Sequence, residues 1–190
     1  YSISGGADAA RFAINASTGA LSFVAAPDHE APADAGANNV YDVTVMVSDG
    51  SRTDTQAIAV TVTPVNDNAP VITSNGGGAT ASVNVAENGA AVTTVTASDA
   101  DLPAQTLSYS ISGGADAALF SINPTTGVLS FNSAPNFEAP SDAGANNVYD
   151  VTVQVADGNG GLATQAMAVT VINVNEAPVI TRGAAVAVAE

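Results

Sequence analysis

Carboxylates are the side chains of this sequence that could do chemistry, and their spacing suits holding an ion better than moving a proton. Asp99-Ala100-Asp101 sets two acids one residue apart, an alternation that fits a loop wrapped around a hard divalent cation, which takes its ligands from carboxylate and carbonyl oxygens. The plainer reading of such residues is a turn in which each Asp caps its own backbone. Asp49-Gly50 and Asp157-Gly158 likewise have a hairpin-turn reading beside a ligand reading. Asp and Glu number 18 against 3 Lys and Arg, for a formal net charge of -15, and the basic residues are Arg11, Arg52 and Arg182. So many acids repel one another unless salt screens them or a divalent cation neutralises them.

Other chemistries lack their parts. With no cysteine, disulfides, thiolate nucleophiles and Cys-type zinc sites are excluded. His29 is the sole histidine and stands where the second copy of its segment carries Phe137, so it reads as a semi-buried packing residue. Glu30 and Glu138 occupy corresponding places in different copies and do not form the paired carboxylates of a glycosidase cleft. No Gly-x-Ser-x-Gly elbow accompanies the many hydroxyls, so an enzyme is not expected. A lysine-free acidic surface repels phosphate and anionic lipid. Nucleic-acid partners and membrane insertion are therefore excluded. No apolar run reaches the length of a membrane span, and no signal peptide stands at Tyr1. The segment is expected to be part of something longer.

The elements that must position these acids come in copies. Tyr1-Ser2-Ile3-Ser4-Gly5-Gly6-Ala7-Asp8-Ala9-Ala10 recurs 108 residues later as Tyr109-Ser110-Ile111-Ser112-Gly113-Gly114-Ala115-Asp116-Ala117-Ala118. The same offset links Tyr41 to Tyr149 and Asp49 to Asp157, passes to 109 at Gln56 and Gln165 through one inserted residue, and returns to 108 at Ala69 and Ala177. A period of that length is one β-sandwich domain, not a short solenoid repeat. Val83-Asn84-Val85-Ala86-Glu87 has a further echo in Val186-Ala187-Val188-Ala189-Glu190. The expected division is therefore 1–68, the closing part of a first repeat without its opening strands; 69–177, a complete second repeat; and 178–190, the first strand of a third.

Within the complete repeat, apolar and polar residues alternate over 82–86, 92–97, 107–111, 128–131, 149–155 and 166–171, with a short run at 120–122. Turn signals separate them, among them Asn88-Gly89, Gly113-Gly114, Thr126-Gly127 and Gly160-Gly161. Seven short strands with frequent turns predict an all-β, Greek-key, immunoglobulin-like sandwich. One helical turn is expected near 116–119. The predicted core is Val83, Val85, Val92, Val95, Tyr109, Ile111, Phe120, Ile122, Leu129, Phe131, Tyr149, Val151, Val153, Val155, Met167, Val169 and Val171, since a one-residue slip in register would turn each strand's apolar set outward.

Val65-Asn66-Asp67-Asn68-Ala69-Pro70 resembles the Asp-x-Asn-Asp-Asn-Ala-Pro junction of cadherin repeats. The rest of that family's pattern follows in order. Ala86-Glu87-Asn88 resembles its first-strand glutamate motif, Asp99-Ala100-Asp101 its Asp-x-Asp loop, Asp28-His29-Glu30 and Asn136-Phe137-Glu138 its Asp-x-Glu motif, and Asp49 and Asp157 its aspartate before the last strand. With the acidic, Cys-free composition, the chain resembles bacterial cadherin-like tandem repeats of large secreted adhesins. The resemblance implies calcium at the seams between repeats. Its ligands at the first seam would be Asp28, Glu30, Asn66, Asp67, Asp99, Asp101 and Asp157, and Glu87, Glu138 and Asn175 would serve the second. Pro64 takes the place of the leading Asp of the junction, and the second junction, Asn173-Val174-Asn175-Glu176-Ala177-Pro178, is one residue shorter and is expected to bind calcium more weakly. Asp49 and Glu190 would serve sites completed outside this chain. The Asn66-Asp67-Asn68 stretch also has a reading as a plain acidic hinge.

The function this implies is a structural and adhesive extracellular module of a bacterial surface fibre or biofilm protein, stiffened by calcium, with neighbouring repeats or other copies of itself as partners. A second expectation is an exopolysaccharide-binding module acting through the loops at 31–39 and 139–147, against which stands an aromatic content of 5% with no Trp. A third is a filament built by strand complementation between copies.

Overall fold

The computed structural model describes residues 1–178. The expected strand of a third repeat lies outside them except for Pro178, and so does Glu190. Among the described residues fourteen strands run in chain order: β1 Ser2–Gly5, β2 Phe12–Ile14, β3 Leu21–Phe23, β4 Val40–Ser48, β5 Thr53–Thr61, β6 Val71–Ile72 and β7 Thr80–Ala86. Then come β8 Ala91–Thr94, β9 Ala97–Ser98, β10 Ser108–Gly113, β11 Phe120–Ile122, β12 Val128–Phe131, β13 Val148–Ala156 and β14 Leu162–Ile172. Single 3₁₀ turns at Ala9–Arg11 and Ala117–Leu119 are the helical elements among the described residues, the second where one turn was expected.

Two compact units emerge. The first comprises Tyr1–Val71, Ala97–Ser108 and Val155–Ala163. Its sheet has the order β1-β4-β5, antiparallel throughout, beside the hairpin β2-β3. Its core is Phe12, Tyr41 and Val43, packed by Ile3, Leu21, Phe23, Ile58, Val60 and Val62. Phe12 and Phe23 stack at 4.6 Å, and Tyr41 meets both edge-on, the arrangement that ring quadrupoles favour.

The second unit comprises Ile72–Thr96, Tyr109–Gln154 and the chain from Thr164. Its sheets have the orders β10-β13-β14-β7 and β11-β12-β8, and β14 pairs with β7 in parallel from Ala166↔Thr80 to Ile172↔Ala86. The all-β sandwich read from the alternation is the fold observed. Phe120, Phe131 and Tyr149 repeat the aromatic triad. Along β13, Tyr149, Val151, Val153 and Val155 are buried while their neighbours are not. Val83, Val92, Tyr109, Ile111 and Ile122 of the predicted core are only half-buried. Each lies on a strand at the edge of its sheet, where one flank has no neighbouring strand to cover it.

The run expected as one strand over 92–97 is split, β8 ending at Thr94 and β9 starting at Ala97. The cause is a change of hydrogen-bond partner. Val95 N–H donates to Gly127 C=O, while Thr96 C=O accepts from Thr73 and Ser74. Gly127 is required there: it has φ +69°, and a Cβ would stand 2.1 Å from Val95 O.

The loops at 31–39 and 139–147 are pinned by buried acids. Asp8 accepts N–H bonds from Ala35 and Asp42, and Asp116 accepts them from Ala143 and Asp150 at matching distances of 2.7 and 2.8 Å. Asp34 takes the backbone N–H groups of Gly36, Asn38 and Asn39, and Asp142 those of Asn146 and Asn147. Their residues Ala37, Asn39, Ala145 and Asn147 have positive φ, so these carboxylates hold a backbone that Ala alone would not choose.

Candidate metal centre

The first unit contains the loops that bear most of the acids singled out above. Two groups of three carboxylates form there, each with ligand atoms within 4.8 Å of one another: Glu30, Asp67 and Asp101, and Asp99, Asp101 and Asp157. Asp101 belongs to both and is buried, as is Asp157. By sequence, Glu30 and Asp67 precede the second repeat while Asp99, Asp101 and Asp157 lie within it, yet all five belong to one compact unit.

Local hydrogen bonds aim these side chains. Asp99 Oδ1 accepts the Asp101 N–H at 3.0 Å, closing the Asp-x-Asp loop on itself. Asp157 Oδ1 accepts from the backbone of Asn159 and Gly161 at 2.7 and 3.0 Å, so the hairpin-turn role and a place in the acidic group coexist in one residue. A side chain at Gly161 would put its Cβ 2.2 Å from Asp157 Oδ2. Glu30 accepts from the Leu102 N–H and also faces His29 Nδ1 at 3.3 Å. His29 is thus half-buried as expected, but it has an acidic partner that the sequence did not indicate.

The carboxyl of Asp157 is held below the usual aspartate range, chiefly by the Asn159 N–H and further by the Asn66 side chain and Gly161, against the opposing effect of burial. Asn66 itself is exposed and donates Nδ2 to Asp157 Oδ2 at 3.2 Å. Asp28 stands in neither group; its Oδ1 caps the turn by accepting from Glu30 and Ala31. Asp49 similarly caps the Ser51 and Arg52 amides.

The second unit gathers a smaller set. Glu87 is buried, with Oε2 accepting from Phe137 N–H and Oε1 from Val174 N–H, both at 2.8 Å. These two amides, Val174 first, hold its carboxyl below the ordinary glutamate value. Glu138 is exposed and accepts from Asn173 Nδ2, while Glu176 accepts from Asn88 Nδ2. Asn175 is exposed in the stretch between them.

Three amides stand beside the acids at the first centre: Gln105 and Asn159, which belong to no motif read from the sequence, and Asn68, which the junction motif includes without a ligand role. Asn68 donates both its backbone N–H and its Nδ2 to Asp101, and Gln105 and Asn159 join the same network. No signal in residue type separates them from ordinary loop amides.

A sandwich whose loops converge carboxylates into a small volume defines a class of β-sandwich repeat, and comparison with known proteins gives its family. The Cadherin domain model matches residues 81–175. Protocadherin Fat 1 of Homo sapiens is 32% identical over 194 residues, covering 96% of this chain and 4% of its own length. A solved segment of mouse Cadherin-23, EC22-24, has a TM-score of 0.63 at 25% identity, covering 91% of this chain and 52% of that one. Protocadherin gammaB7 EC3-6, solved as a cis-dimer, has a TM-score of 0.62 at 27% identity, covering 90% of this chain and 40% of that one. The chain belongs to the cadherin family. It spans only a few per cent of the length of the curated Fat protein it matches.

Cadherin domains are extracellular and bind calcium. The residues here fit that ion on their own chemistry. The donor set is all oxygen, which suits calcium, and Asp99 Oδ2 is buried without a hydrogen-bond partner among the described residues, so a cation there would satisfy it. Among the described residues, no helix is long and apolar enough to cross a membrane.

Proposed function

We propose that this chain is an adhesive, extracellular repeat segment of a long bacterial surface protein, stiffened by calcium where successive repeats meet. The single observation that carries the reading is the pair of carboxylate groups sharing Asp101, with the orphaned, buried Asp99 Oδ2 among them. Glu30, Asn66, Asp67, Asp99, Asp101 and Asp157 would hold the ion of the first seam, with Asp28 alongside through its turn; Glu87, Glu138 and Asn175 would contribute to the second. Bound calcium would supply positive charge that neutralises crowded acids and ties the linker to the loops. The division into 1–68, 69–177 and 178–190 belongs to this reading, as do a secreted, cell-surface location and homophilic contacts between repeats or copies. The acidic, lysine-free and cysteine-free composition supports the bacterial surface setting.

Thermal unfolding with calcium and with chelator tests it. Calcium is expected to raise the transition in a concentration-dependent way, as a ligand of the folded state must. Superimposable transitions would refute the calcium role.

A further inference from the structure

Within the proposed metal centre, three carboxamides and one acid close a ring. Asn66 Nδ2 donates to Asp157 Oδ2 at 3.2 Å, and Asp157 Oδ1 accepts the Asn159 N–H at 2.7 Å. Asn159 Nδ2 donates to Gln105 Oε1 at 3.0 Å, and Gln105 Nε2 returns to Asn66 Oδ1. Gln105 Nε2 also donates to Asp101 Oδ2 at 3.2 Å. Every donor in the ring meets an oxygen, and reversing any one amide would set N–H against N–H or oxygen against oxygen, so the network dictates which way each amide points.

We propose that Gln105, anchored by Asn159, is an amide latch that competes with calcium for the oxygens of Asn66 and Asp101; the inference rests on the metal centre proposed above. The physical ground is polarity. The NH₂ end of a carboxamide carries partial positive charge and satisfies an acid much as a weak cation does, but it presents the wrong end to a cation. Asn66 Oδ1 and Asp101 Oδ2 are oxygens that could serve a calcium ion, and Gln105 Nε2 already engages a lone pair of each. An ion approaching those oxygens competes with the Gln105 amide for their electron density, and turning or withdrawing the side chain removes that competition. Asn159 holds its oxygen end, which opposes the turn. A cleft of about 380 Å³ lined in part by Pro64, Val65, Leu102, Pro103 and Thr106 borders Gln105 and gives it somewhere to go. The latch thus stabilises the metal-free loops while raising the calcium concentration at which the centre fills. This is the arithmetic of a binding-competent state that is only partly populated.

The test is a calcium titration by calorimetry, with melting in chelator, on the whole chain and on Gln105→Ala and Asn159→Ala. Releasing one or two hydrogen bonds to acid and amide oxygens is expected to tighten binding by Gln105→Ala on the order of five- to tenfold. The same variant is expected to melt lower in chelator, so that its gap between calcium and chelator widens. Asn159→Ala, which frees Gln105 without removing it, is expected to move binding the same way by less. Binding of calcium by the unaltered chain with equal or weaker binding by Gln105→Ala overturns the latch alone, because the amide is then a spectator or itself a ligand. No calcium uptake by any of the three chains overturns the metal centre and the latch with it.

Discussion

Asp101→Asn removes the acid common to both carboxylate groups, and two opposing effects of similar size decide its result without metal. Four neighbouring carboxylates, Glu30, Asp67, Asp99 and Asp157, each have an oxygen within 4.8 Å of one on Asp101. At that separation each repels Asp101 by about 0.9 kcal/mol with water-like screening, about 3.5 kcal/mol for the four together, and less once salt screens them. Against this relief, Asp101 accepts from Asn68 N–H at 3.2 Å, Asn68 Nδ2 at 2.8 Å and Gln105 Nε2 at 3.2 Å. Making the first two neutral weakens each by roughly 1 kcal/mol, and the new amide nitrogen facing Gln105 forfeits about as much again. The metal-free variant is therefore expected within about 1–2 kcal/mol of the parent, at about 4–8 °C per kcal/mol for a domain of 60–100 residues. Calcium separates the two chains. At about 10 mM, one ion bound with a dissociation constant on the order of 10⁻⁴–10⁻³ M stabilises by about 1.4–2.7 kcal/mol. The parent should thus show a rise of roughly 6–20 °C, and Asp101→Asn should lose most of it. Melting followed by circular dichroism, in chelator and in calcium, measures both quantities. A calcium-dependent rise as large as the parent's would refute the placement of Asp101 at the centre, and a collapse in chelator would refute the balance.

Two further outcomes follow from the hydrogen bonds. Asp116→Ala frees the amides of Ala143 and Asp150, bonds to a charged acceptor worth about 1.5–3 kcal/mol each; the second unit should melt at least about 10 °C lower, with faster hydrogen exchange at 143 and 150, and unchanged protection there would contradict the pinning role. Glu87 has its folded-state carboxyl lowered by Val174 and Phe137, so its contribution is fully present above the ordinary glutamate value of 4.5 and is lost as pH falls through the lower folded value. Melting profiles between about pH 7 and pH 3 should therefore show a shallower acid limb in Glu87→Gln than in the parent, and parallel limbs would count against it.

Much of the fold was legible because it depends on local pattern. The 108-residue offset in sequence reappears as matched geometry, with Phe12, Phe23 and Tyr41 answered by Phe120, Phe131 and Tyr149 and Asp8 answered by Asp116. Alternation along 149–155 marked the buried side of β13 because side chains on a strand point to opposite faces in turn. Alternation does not say where a strand changes partner, and so the break between β8 and β9 was not visible. That break depends on Gly127 and on Thr73 and Ser74, residues remote from it in the chain.

For the candidate site, the sequence by itself determined the kinds of atom on offer: carboxylates in Asp-x-Asp, Asp-x-Glu and linker motifs, with no thiolate and no lysine. Only the tertiary structure decided which of them meet. Glu30, Asp67 and Asp101 converge across separations of tens of residues, whereas Asp28, two residues from Glu30, spends its oxygen on a turn. Nor could residue type reveal that Gln105, Asn159 and Asn68 fill the space between the acids. The reason is that an amide or carboxylate is chemically the same in a solvated loop and in a cluster; what distinguishes the two is the position of its partners, and position is set by long-range packing that no single segment encodes.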